Sequence, residues 1–467
     1  MNVQQLYTNC LAQGAYYISN NGEAAIIDPL RETGPYLELL KKNNDRLKYI
    51  FETHFHADFV SGHVDLARET GATIVFGPNA HTGYQSHVAQ DGELFKIGEL
   101  SIKVLHTPGH TLESSTYLLS DAEGKPLCIF TGDTLFIGDV GRPDLAIKSD
   151  LTQEDLAGML YDSLRTKIMP LPDQVIVYPA HGAGSACGKN MSKETFDTLG
   201  NQKQTNYALR NISKEQFIKE LTEGIMPAPQ YFAKNAALNK NGYENYDTVM
   251  AKGSKALQPA DFEKAMEEPG VLVLDVRKPQ DFAQGHIAGS WFIGLDGQFA
   301  PWVGTLIKEL NTPLLLVAPE GRHEEAVMRL SRVGYDNCIG YLSGGVDGWV
   351  ASGRKSESIR SMSAAEFFEL YRQGAKTVDV RKPSEFDGGH LKNAENKPLD
   401  FITEWELTGD GTQVCMVHCA GGYRSMVAIS ILKSRGCNNL VDVQGGWSNI
   451  KLLEAAKSEI VTASVKA

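Results

Sequence analysis

Short apolar runs alternate with turn residues along the first 190 residues, and this pattern predicts β-strands joined by tight loops. The runs 15–19 and 24–28 flank an Asn-Asn-Gly turn at 20–22, which is a strong signal for a β-hairpin. The runs 116–119 and 127–130 predict a second hairpin. Four of the predicted strands lead into a short loop that carries His or Asp, so we expect one site at the edge of a sheet.

The loop after the apolar run 47–53 holds the densest group of polar side chains, His54-x-His56-x-Asp58. A helical pattern follows over 60–70, so these side chains lie on a strand-to-helix turn, where they can converge. Imidazole and carboxylate ligands together suit zinc, iron or manganese. The motif therefore predicts a metal site.

Three later loops carry further ligand-type residues. His110 follows the run 101–105, Asp133 follows the second hairpin, and His181 follows the run 174–178. Each residue alone is most simply an ordinary polar residue of a loop. The four strand ends together indicate one shared metal site.

The second half of the chain contains a repeat. The sequence Asp-Val-Arg-Lys-Pro at 275–279 recurs at 379–383, an offset of 104 residues (379 − 275). Strand and helix patterns alternate in each repeat, which predicts two α/β domains with mainly parallel sheets. We call 258–355 the first copy and 360–460 the second copy. They follow a first domain at 1–250, whose polar and largely helical end begins near residue 190.

The second copy carries a candidate nucleophile, Cys419, in a loop between a predicted strand and a predicted helix. Backbone N–H groups at Gly421 and Gly422, together with the start of the helix, would stabilise a thiolate here. Arg424 closes the loop. Aligned without gaps, the first copy has Pro319 in place of the cysteine and Glu324 in place of the arginine, so we expect it to be inactive.

Composition and charge narrow the class of protein. The 467 residues suggest roughly three domains at about 150 residues each. A net charge of −12 argues against nucleic acid or an anionic membrane as the main partner. Seven scattered cysteines, with no evident signal peptide or apolar run of about 20 residues, favour a reducing cytoplasm.

The first domain resembles the metallo-β-lactamase superfamily, whose motif is His-x-His-x-Asp-His followed by a distant His, Asp and His. The matching residues are His54, His56, Asp58, His110, Asp133 and His181. The resemblance implies an αββα sandwich with a metal at its edge. Phe59 stands where the motif has its final His, a ligand of the second metal in dinuclear members, so a hydrolytic two-metal site is put in doubt.

The segment 132–144 resembles the persulfide dioxygenase branch of this superfamily. That resemblance implies one Fe(II) per chain, held by His54, His110 and Asp133. The other matches, His56, Asp58 and His181, would then orient the ligands, hold water or bind an additional metal. Two further residues, Arg142 and Cys187, are expected near the substrate; a structural salt bridge and an inert buried thiol are the competing interpretations.

The Cys419 loop resembles that of the rhodanese family, in which a Cys-to-Arg loop cradles a cysteine persulfide. The fold class is then a multidomain α/β and α+β chain: the αββα sandwich followed by two rhodanese-like α/β domains. The whole order resembles the persulfide dioxygenase–rhodanese fusions of bacterial sulfide detoxification. It implies oxidation of a low-molecular-weight thiol persulfide by O2 to sulfite, and sulfur transfer from Cys419 to sulfite giving thiosulfate.

Two alternatives stay open. A zinc thioester hydrolase of the glyoxalase II type, joined to a sulfurtransferase, would need two metals, against which Phe59 argues. A non-enzymatic sulfur carrier or scaffold would need no iron site. A homo-oligomer is our expectation for the assembly.

Overall fold

Two six-stranded sheets form from the first half of the chain in the computed structural model, which describes residues 2–145, 151–225, 227–405 and 414–462. The first sheet has the order β1 to β6, with strands β1 Asn2–Thr8, β2 Gln13–Asn20, β3 Glu23–Ile27, β4 Arg46–Phe51, β5 Thr73–Phe76 and β6 His87–Val88. The second sheet also runs in chain order, with strands β7 Leu94–Ile97, β8 Leu100–His106, β9 Ser115–Ser120, β10 Pro126–Gly132, β11 Ile176–Pro179 and β12 Asp197–Thr198.

The two sheets pack face to face because their strands alternate inward and outward side chains. Tyr16 and Ile18 of β2 join Tyr117 and Phe130 of the second sheet in one buried cluster. Their neighbour Tyr17 points to the opposite face. Helices cover both outer faces, so the αββα sandwich is confirmed. Both predicted hairpins, β2–β3 and β9–β10, pair antiparallel.

Helices of this half flank the sheets and extend beyond them. Their bounds are α1 Gly34–Asn43, α2 His63–Thr70, α3 Gln153–Ser163, α4 Leu199–Thr205, α5 Lys214–Thr222, α6 Phe232–Asn241 and α7 Tyr246–Gly253. The helix predicted over 60–70 starts only at His63, because the backbone before it is engaged elsewhere: the Ser61 N–H donates to Asn239 Oδ1 at 2.9 Å.

The strand predicted over 47–53 ends early, at Phe51. The N–H of Thr53 donates to Asp28 Oδ1 at 2.7 Å, and its hydroxyl donates to Asp28 Oδ2 at 2.8 Å. Side-chain bonds thus replace the sheet ladder where the metal-binding motif begins.

The two copies have equivalent five-stranded parallel sheets. In the first copy the sheet order is β13, β17, β16, β14, β15, with bounds β13 Ala256–Leu257, β14 Leu272–Asp275, β15 Trp291–Phe292, β16 Leu314–Val317 and β17 Cys338–Leu342. In the second copy the order is β18, β23, β22, β19, β21, with bounds β18 Ser361–Met362, β19 Lys376–Asp379, β21 Glu395–Asn396, β22 Cys415–His418 and β23 Leu440–Val443. A separate pair joins β20 His390–Leu391 to β24 Ile460–Val461. The repeated strand order confirms two rhodanese-like α/β domains.

Helices of the copies complete the α/β layers. Their bounds are α8 Pro259–Met266, α9 Pro279–Gln284, α10 Phe299–Leu306, α11 His323–Ser331, α12 Gly345–Ala351, α13 Ala364–Arg372, α14 Pro383–Asp387, α15 Tyr423–Ser434 and α16 Gly446–Ile450. Each copy has its own buried core, gathered around Phe262 in the first and Phe367 in the second. Among the helices of the described ranges, none is long and apolar enough to cross a bilayer.

The chain divides into two compact units, each with most of its residue contacts inside the unit. One contains Met1–Thr248 with Leu330–Gly334, and the other contains Val249–Arg329 with Tyr335–Ala467. Both copies of the repeat therefore lie mainly in the second unit, and the sandwich lies in the first.

Candidate metal centre and sulfur-transfer loop

The predicted ligands lie just beyond the ends of four strands, β4 in the first sheet and β8, β10 and β11 in the second. The structure buries all of them: His54, His56, Asp58, His110, Asp133 and His181. Hydrogen bonds between strands fix the position of each strand end, and the loops that follow hold these side chains close together. The structure thus brings the six predicted residues together at one edge of the two sheets, and their role as metal ligands stays a prediction.

His54, His110 and Asp133 form one compact ligand set, with ligand atoms all within 4.8 Å of one another. Asp133 Oδ2 lies 3.4 Å from His110 Nε2 and 3.9 Å from His54 Nε2. Neither carboxylate oxygen of Asp133 accepts a hydrogen bond from the described residues. A buried carboxylate without donors is costly, so a cation between these side chains fits the site.

The two histidines of this set are oriented by their other ring nitrogens. His110 Nδ1 lies 2.8 Å from the carbonyl oxygen of Arg142, and His54 Nδ1 lies 3.0 Å from the Thr53 hydroxyl. Such contacts fix the ring and direct Nε2 toward a metal. Burial lowers the pKa of His54 well below its ordinary value, so the ring stays neutral, as a metal ligand requires.

Gly141 lets the backbone come close to this ligand set. A Cβ at this position would lie 2.2 Å from the Asp133 carbonyl oxygen and 2.9 Å from His110 Nδ1. Any side chain at this position would collide with these atoms, so Gly141 is needed for the close packing around His110 and Asp133.

His56, Asp58 and His181 form a second set, whose ligand atoms also lie within 4.8 Å of one another. Asp58 Oδ2 lies 3.4 Å from His181 Nε2. Burial lowers the pKa of His181, but the carboxylates of Asp58 and Asp133 outweigh burial and raise it well above its ordinary value. A protonated His181 would stand in for a cation between these carboxylates.

Phe59 is fully buried beside this second set. Its ring centroid lies 4.4 Å from that of His56 and 6.4 Å from that of His181. An apolar ring therefore lies where a further ligand would be needed. His56 also has carboxylate neighbours on another side, with Nε2 3.0 Å from Asp28 Oδ1 and 3.7 Å from Glu52 Oε2.

Three residues of the site were missed by the sequence reasoning: Asp28, Glu52 and Asn239. The amide of Asn239 in α6 donates to the carbonyl oxygens of His56 and Phe59, both at 2.7 Å, and so clamps the motif loop. Asp28 directly follows β3 and Glu52 directly follows β4, and this position after a buried strand could have marked both as candidate site residues. Asn239 lies about 180 residues from the motif and has no such signal.

Cys187 lies against the metal centre: its sulfur is within 4.8 Å of ligand atoms of Asp133 and His181. Burial raises the pKa of the Cys187 thiol to about 12, so it is protonated near neutral pH. Arg142 is also buried, and its guanidinium pairs with Asp144 through two hydrogen bonds of 2.6 Å. The salt bridge considered for Arg142 exists, and contact with substrate stays a prediction for both residues.

The Cys419 loop joins β22 to α15, as predicted. The Gly422 N–H donates to Cys419 Sγ at 3.1 Å, and Gly422 has a φ of +101°. Ser425 Oγ lies 3.8 Å from Sγ and donates to Asp442 Oδ1 at 2.8 Å. The Gly422 N–H is the donor that contacts the sulfur, because the Ser425 hydroxyl donates to Asp442 and accepts from Sγ. A backbone donor at this position favours a thiolate.

Arg424 is held by an acidic partner in the second copy. Its guanidinium donates to both carboxylate oxygens of Glu385, at 2.6 and 2.8 Å. The corresponding loop of the first copy has Pro319 and Glu324, and its Arg322 donates to Glu325 and Asp296. That loop offers no thiol and no free cation for sulfur transfer in the described residues.

Comparisons with known proteins agree with this division. The model of the metallo-beta-lactamase superfamily matches residues 9–181, and that of the rhodanese-like domain matches 258–352 and 363–453. The human protein "Persulfide dioxygenase ETHE1, mitochondrial" is 32% identical over 211 residues, which are 44% of this chain and 74% of that protein.

Other relatives have different names. "Probable hydroxyacylglutathione hydrolase glo2" of Schizosaccharomyces pombe is 33% identical over 161 residues, 34% of this chain and 58% of that protein. The crystal structure of a metallo-beta-lactamase from Staphylococcus aureus subsp. aureus COL is similar at a TM-score of 0.66 and 31% identity. The similar region covers 73% of this chain and 99% of the Staphylococcus aureus chain. Sequence similarity alone therefore does not separate an oxygenase from a hydrolase.

Phe59→His should convert the second set into a metal site, because a histidine there would add the ligand that the family motif has. We expect the metal content after loading with excess Zn(II) and desalting to rise from one ion per chain toward two. Phe59→Leu removes the ring without adding a ligand and should stay at one. Equal metal content in the two variants would show that Phe59 does not determine the number of ions.

Asp442→Asn should change how stability depends on pH. Burial raises the pKa of Asp442 from its usual 3.8 to about 6, so the folded state prefers the protonated form. Stability from this group is present below pH 4 and is lost as the pH rises through 6, by about 3 kcal/mol. The Tm of the variant relative to wild type should increase between pH 4 and pH 7. A difference that is constant with pH would contradict this assignment.

Proposed function

The chain belongs to the metallo-β-lactamase superfamily and carries two rhodanese-like domains after that domain, and we propose that it is a persulfide dioxygenase with sulfurtransferase activity. The first reaction is RSSH + O2 + H2O → RSH + SO3²⁻ + 2 H⁺. The second is RSSH + SO3²⁻ → RSH + S2O3²⁻. Sulfite made by the first is consumed by the second, and sulfide-derived sulfur leaves as thiosulfate.

The observation that supports the oxygenase over the hydrolase is Phe59 beside the second ligand set. One ion held by His54, His110 and Asp133 is a 2-His-1-carboxylate set, the arrangement typical of non-haem Fe(II) oxygenases. When bound, Fe(II) would supply the redox chemistry by which O2 oxidises the terminal sulfur. Zinc could not supply it, because its electron shell is filled.

The protein's own residues would prepare the site for that chemistry. Contacts to Thr53 and Arg142 orient the two histidines, and the burial of all ligands keeps water away from the sulfur. His181 Nε2 lies 3.4 Å from Asp58 Oδ2 and 3.6 Å from Asp133 Oδ1, so it holds a proton between two carboxylates. From there it can donate that proton to an anion bound in the site. Cys187, as a neutral thiol, can lie beside a persulfide without reacting with it as a thiolate.

In the second copy Cys419 would accept sulfur. Its thiolate attacks the outer sulfur of RSSH, the S–S bond breaks, and the thiol leaves as RS⁻, which takes up the persulfide's proton. Sulfite then attacks the outer sulfur of the cysteine persulfide and leaves as thiosulfate. No net oxidation occurs, and the Gly422 N–H stabilises the anionic cysteine at both stages.

A zinc hydroxyacylglutathione hydrolase joined to a sulfurtransferase is the second candidate. It is supported by a hydrolase relative of similar identity, 33% against 32%, and by the second ligand set of His56, Asp58 and His181. Against it stands the need of a dinuclear hydrolase for ligands that hold both ions, where this chain has Phe59.

Cys419→Ser should abolish thiosulfate formation while O2 uptake persists, so that sulfite accumulates. Cys437→Ser, which changes a cysteine of the same domain outside the loop, is the matched control and should resemble wild type. Products are separated by chromatography during O2 uptake with a panel of organic persulfides. Loss of O2 uptake in Cys419→Ser with intact iron would contradict the division of labour.

His110→Ala should have the complementary effect, because it removes a ligand of the first set. We expect O2 uptake and sulfite formation to be lost, while Cys419 still transfers sulfur from thiosulfate to cyanide. Unchanged sulfite and thiosulfate production in this variant would exclude the iron site from the chemistry and favour the sulfur-carrier interpretation.

A further inference from the structure

A cavity of about 480 Å³ adjoins Cys419, and both copies of the repeat line it. The second copy contributes the Cys419 loop with Arg424 and Lys382. The first copy contributes Gly297, Gln298 and Trp302. The copy without a loop cysteine thus supplies one side of the space into which the reactive sulfur opens.

Specific contacts hold this side of the cavity in place. The Tyr423 hydroxyl, in the first turn of α15, donates to the carbonyl oxygen of Gly294 at 2.8 Å. Its ring meets that of Phe292 edge to face, with centroids 5.7 Å apart. A Cβ at Gly297 would lie 2.5 Å from Tyr423 Cε2, so the close approach depends on glycine there.

Two more bonds join the same strand of the first copy to α15. The Phe292 N–H donates to Ser430 Oγ, and Trp291 Nε1 donates to Ser434 Oγ, both at 2.9 Å. Because α15 also carries the end of the Cys419 loop, the first copy is fixed relative to the reactive sulfur. The cavity is therefore a built feature of the two-copy unit.

The size of the cavity exceeds what an inorganic donor requires. Sites for organic molecules typically have volumes of about 300–1,000 Å³, and this cavity lies within that range. An oxyanion such as thiosulfate needs only the backbone donors and cations of the loop. The additional volume lies along residues of different chemistry: the indole of Trp302 and the exposed amide of Gln298.

These residues suit an organic thiol with polar groups. An indole face packs against methylene groups, the Gln298 amide can both donate and accept, and Lys382 can pair with a carboxylate. The Arg424 charge is shared with Glu385, which leaves Lys382 as the cation of the cavity without an ion pair among the described contacts.

We propose that the first copy determines which persulfide Cys419 accepts, with Trp302 and Gln298 as specificity-determining residues for the organic part of a thiol persulfide that carries amide or carboxylate groups. This inference rests on the proposed role of Cys419 as sulfur acceptor. The transfer step is the one given above: the organic thiol leaves from this cavity as RS⁻ when the S–S bond breaks.

Two donors that differ only in their organic part test the inference in the full chain. Glutathione persulfide and thiosulfate are each offered anaerobically, with cyanide as the common acceptor, and protein-free cyanolysis is subtracted. In Gln298→Ala and Trp302→Ala the ratio of the KM for glutathione persulfide to the KM for thiosulfate should rise fivefold or more. Trp302→Phe keeps an aromatic ring and should keep a ratio close to that of wild type.

Gln284→Ala is the matched control, since Gln284 is an exposed glutamine of the first copy outside the cavity and should keep the wild-type ratio. Gln298 is also exposed and its side chain does not cap α10, so its variant should fold even if Trp302→Ala, with a buried indole, does not. An unchanged ratio in Gln298→Ala, together with an unchanged ratio or a failure to fold in Trp302→Ala, would overturn the inference. A wild-type protein without Cys419-dependent transfer from either donor would overturn the proposed function as well.

Discussion

The buried carboxylate of Asp133 is the constraint on which the candidate metal centre of the first domain depends. It lies beyond the end of β10 with no donor to either oxygen among the described residues. Ionised and unpaired, such a group costs several kcal/mol in a protein interior, by order of magnitude. Burial lowers the pKa of His54, so its neutral ring cannot balance this charge, and a cation beside Asp133 fits the arrangement. The sandwich, the loops at the strand ends and the close backbone approach at Gly141 bring ligand atoms of His54, His110 and Asp133 within 4.8 Å of one another, a spacing that fits one metal ion.

The residues around the first ligand set bear on the choice between the two candidate activities, persulfide oxidation and thioester hydrolysis. A second set of ligands is present, but Phe59 packs against His56, and Asp28 and Glu52 lie on another side of the same imidazole. His56 Nε2 thus lies close to the carboxylates of Asp28 and Glu52, although His56 also belongs to the second ligand set. Phe59 thus offers no ligand to the second set, which supports the proposal of a single metal in a chain with relatives of both names.

Much of this could be predicted from the sequence, because strand ends and spacing determine it locally. His54, His56, Asp58, His110, Asp133 and His181 each follow an apolar run, and the structure brings all six together. The αββα order itself came from the resemblance rather than from periodicity. Asp28 and Asn239 were missed because their roles depend on tertiary contacts: one carboxylate bonds to Thr53 across neighbouring strands, and one amide reaches the motif loop from a helix far along the chain.

The same limit applies to the second copy. The Cys419 loop is local in sequence and was predicted, whereas the cavity beside it depends on the packing of two domains and on the absence of a side chain at Gly297. An alignment of the copies shows only that the first has lost its cysteine. The contacts of Tyr423 show that the first copy forms one side of the cavity beside Cys419.

The most direct test is a comparison of the same metal-free protein loaded with an excess of Fe(II) or of Zn(II) and then desalted. Each sample is assayed for O2 uptake with an organic persulfide and for cleavage of a glutathione thioester. The account predicts that the iron sample consumes one O2 per sulfite equivalent formed and that neither sample cleaves the thioester at an appreciable rate. Thioester cleavage by the zinc sample, with no O2 uptake by the iron sample, would contradict it.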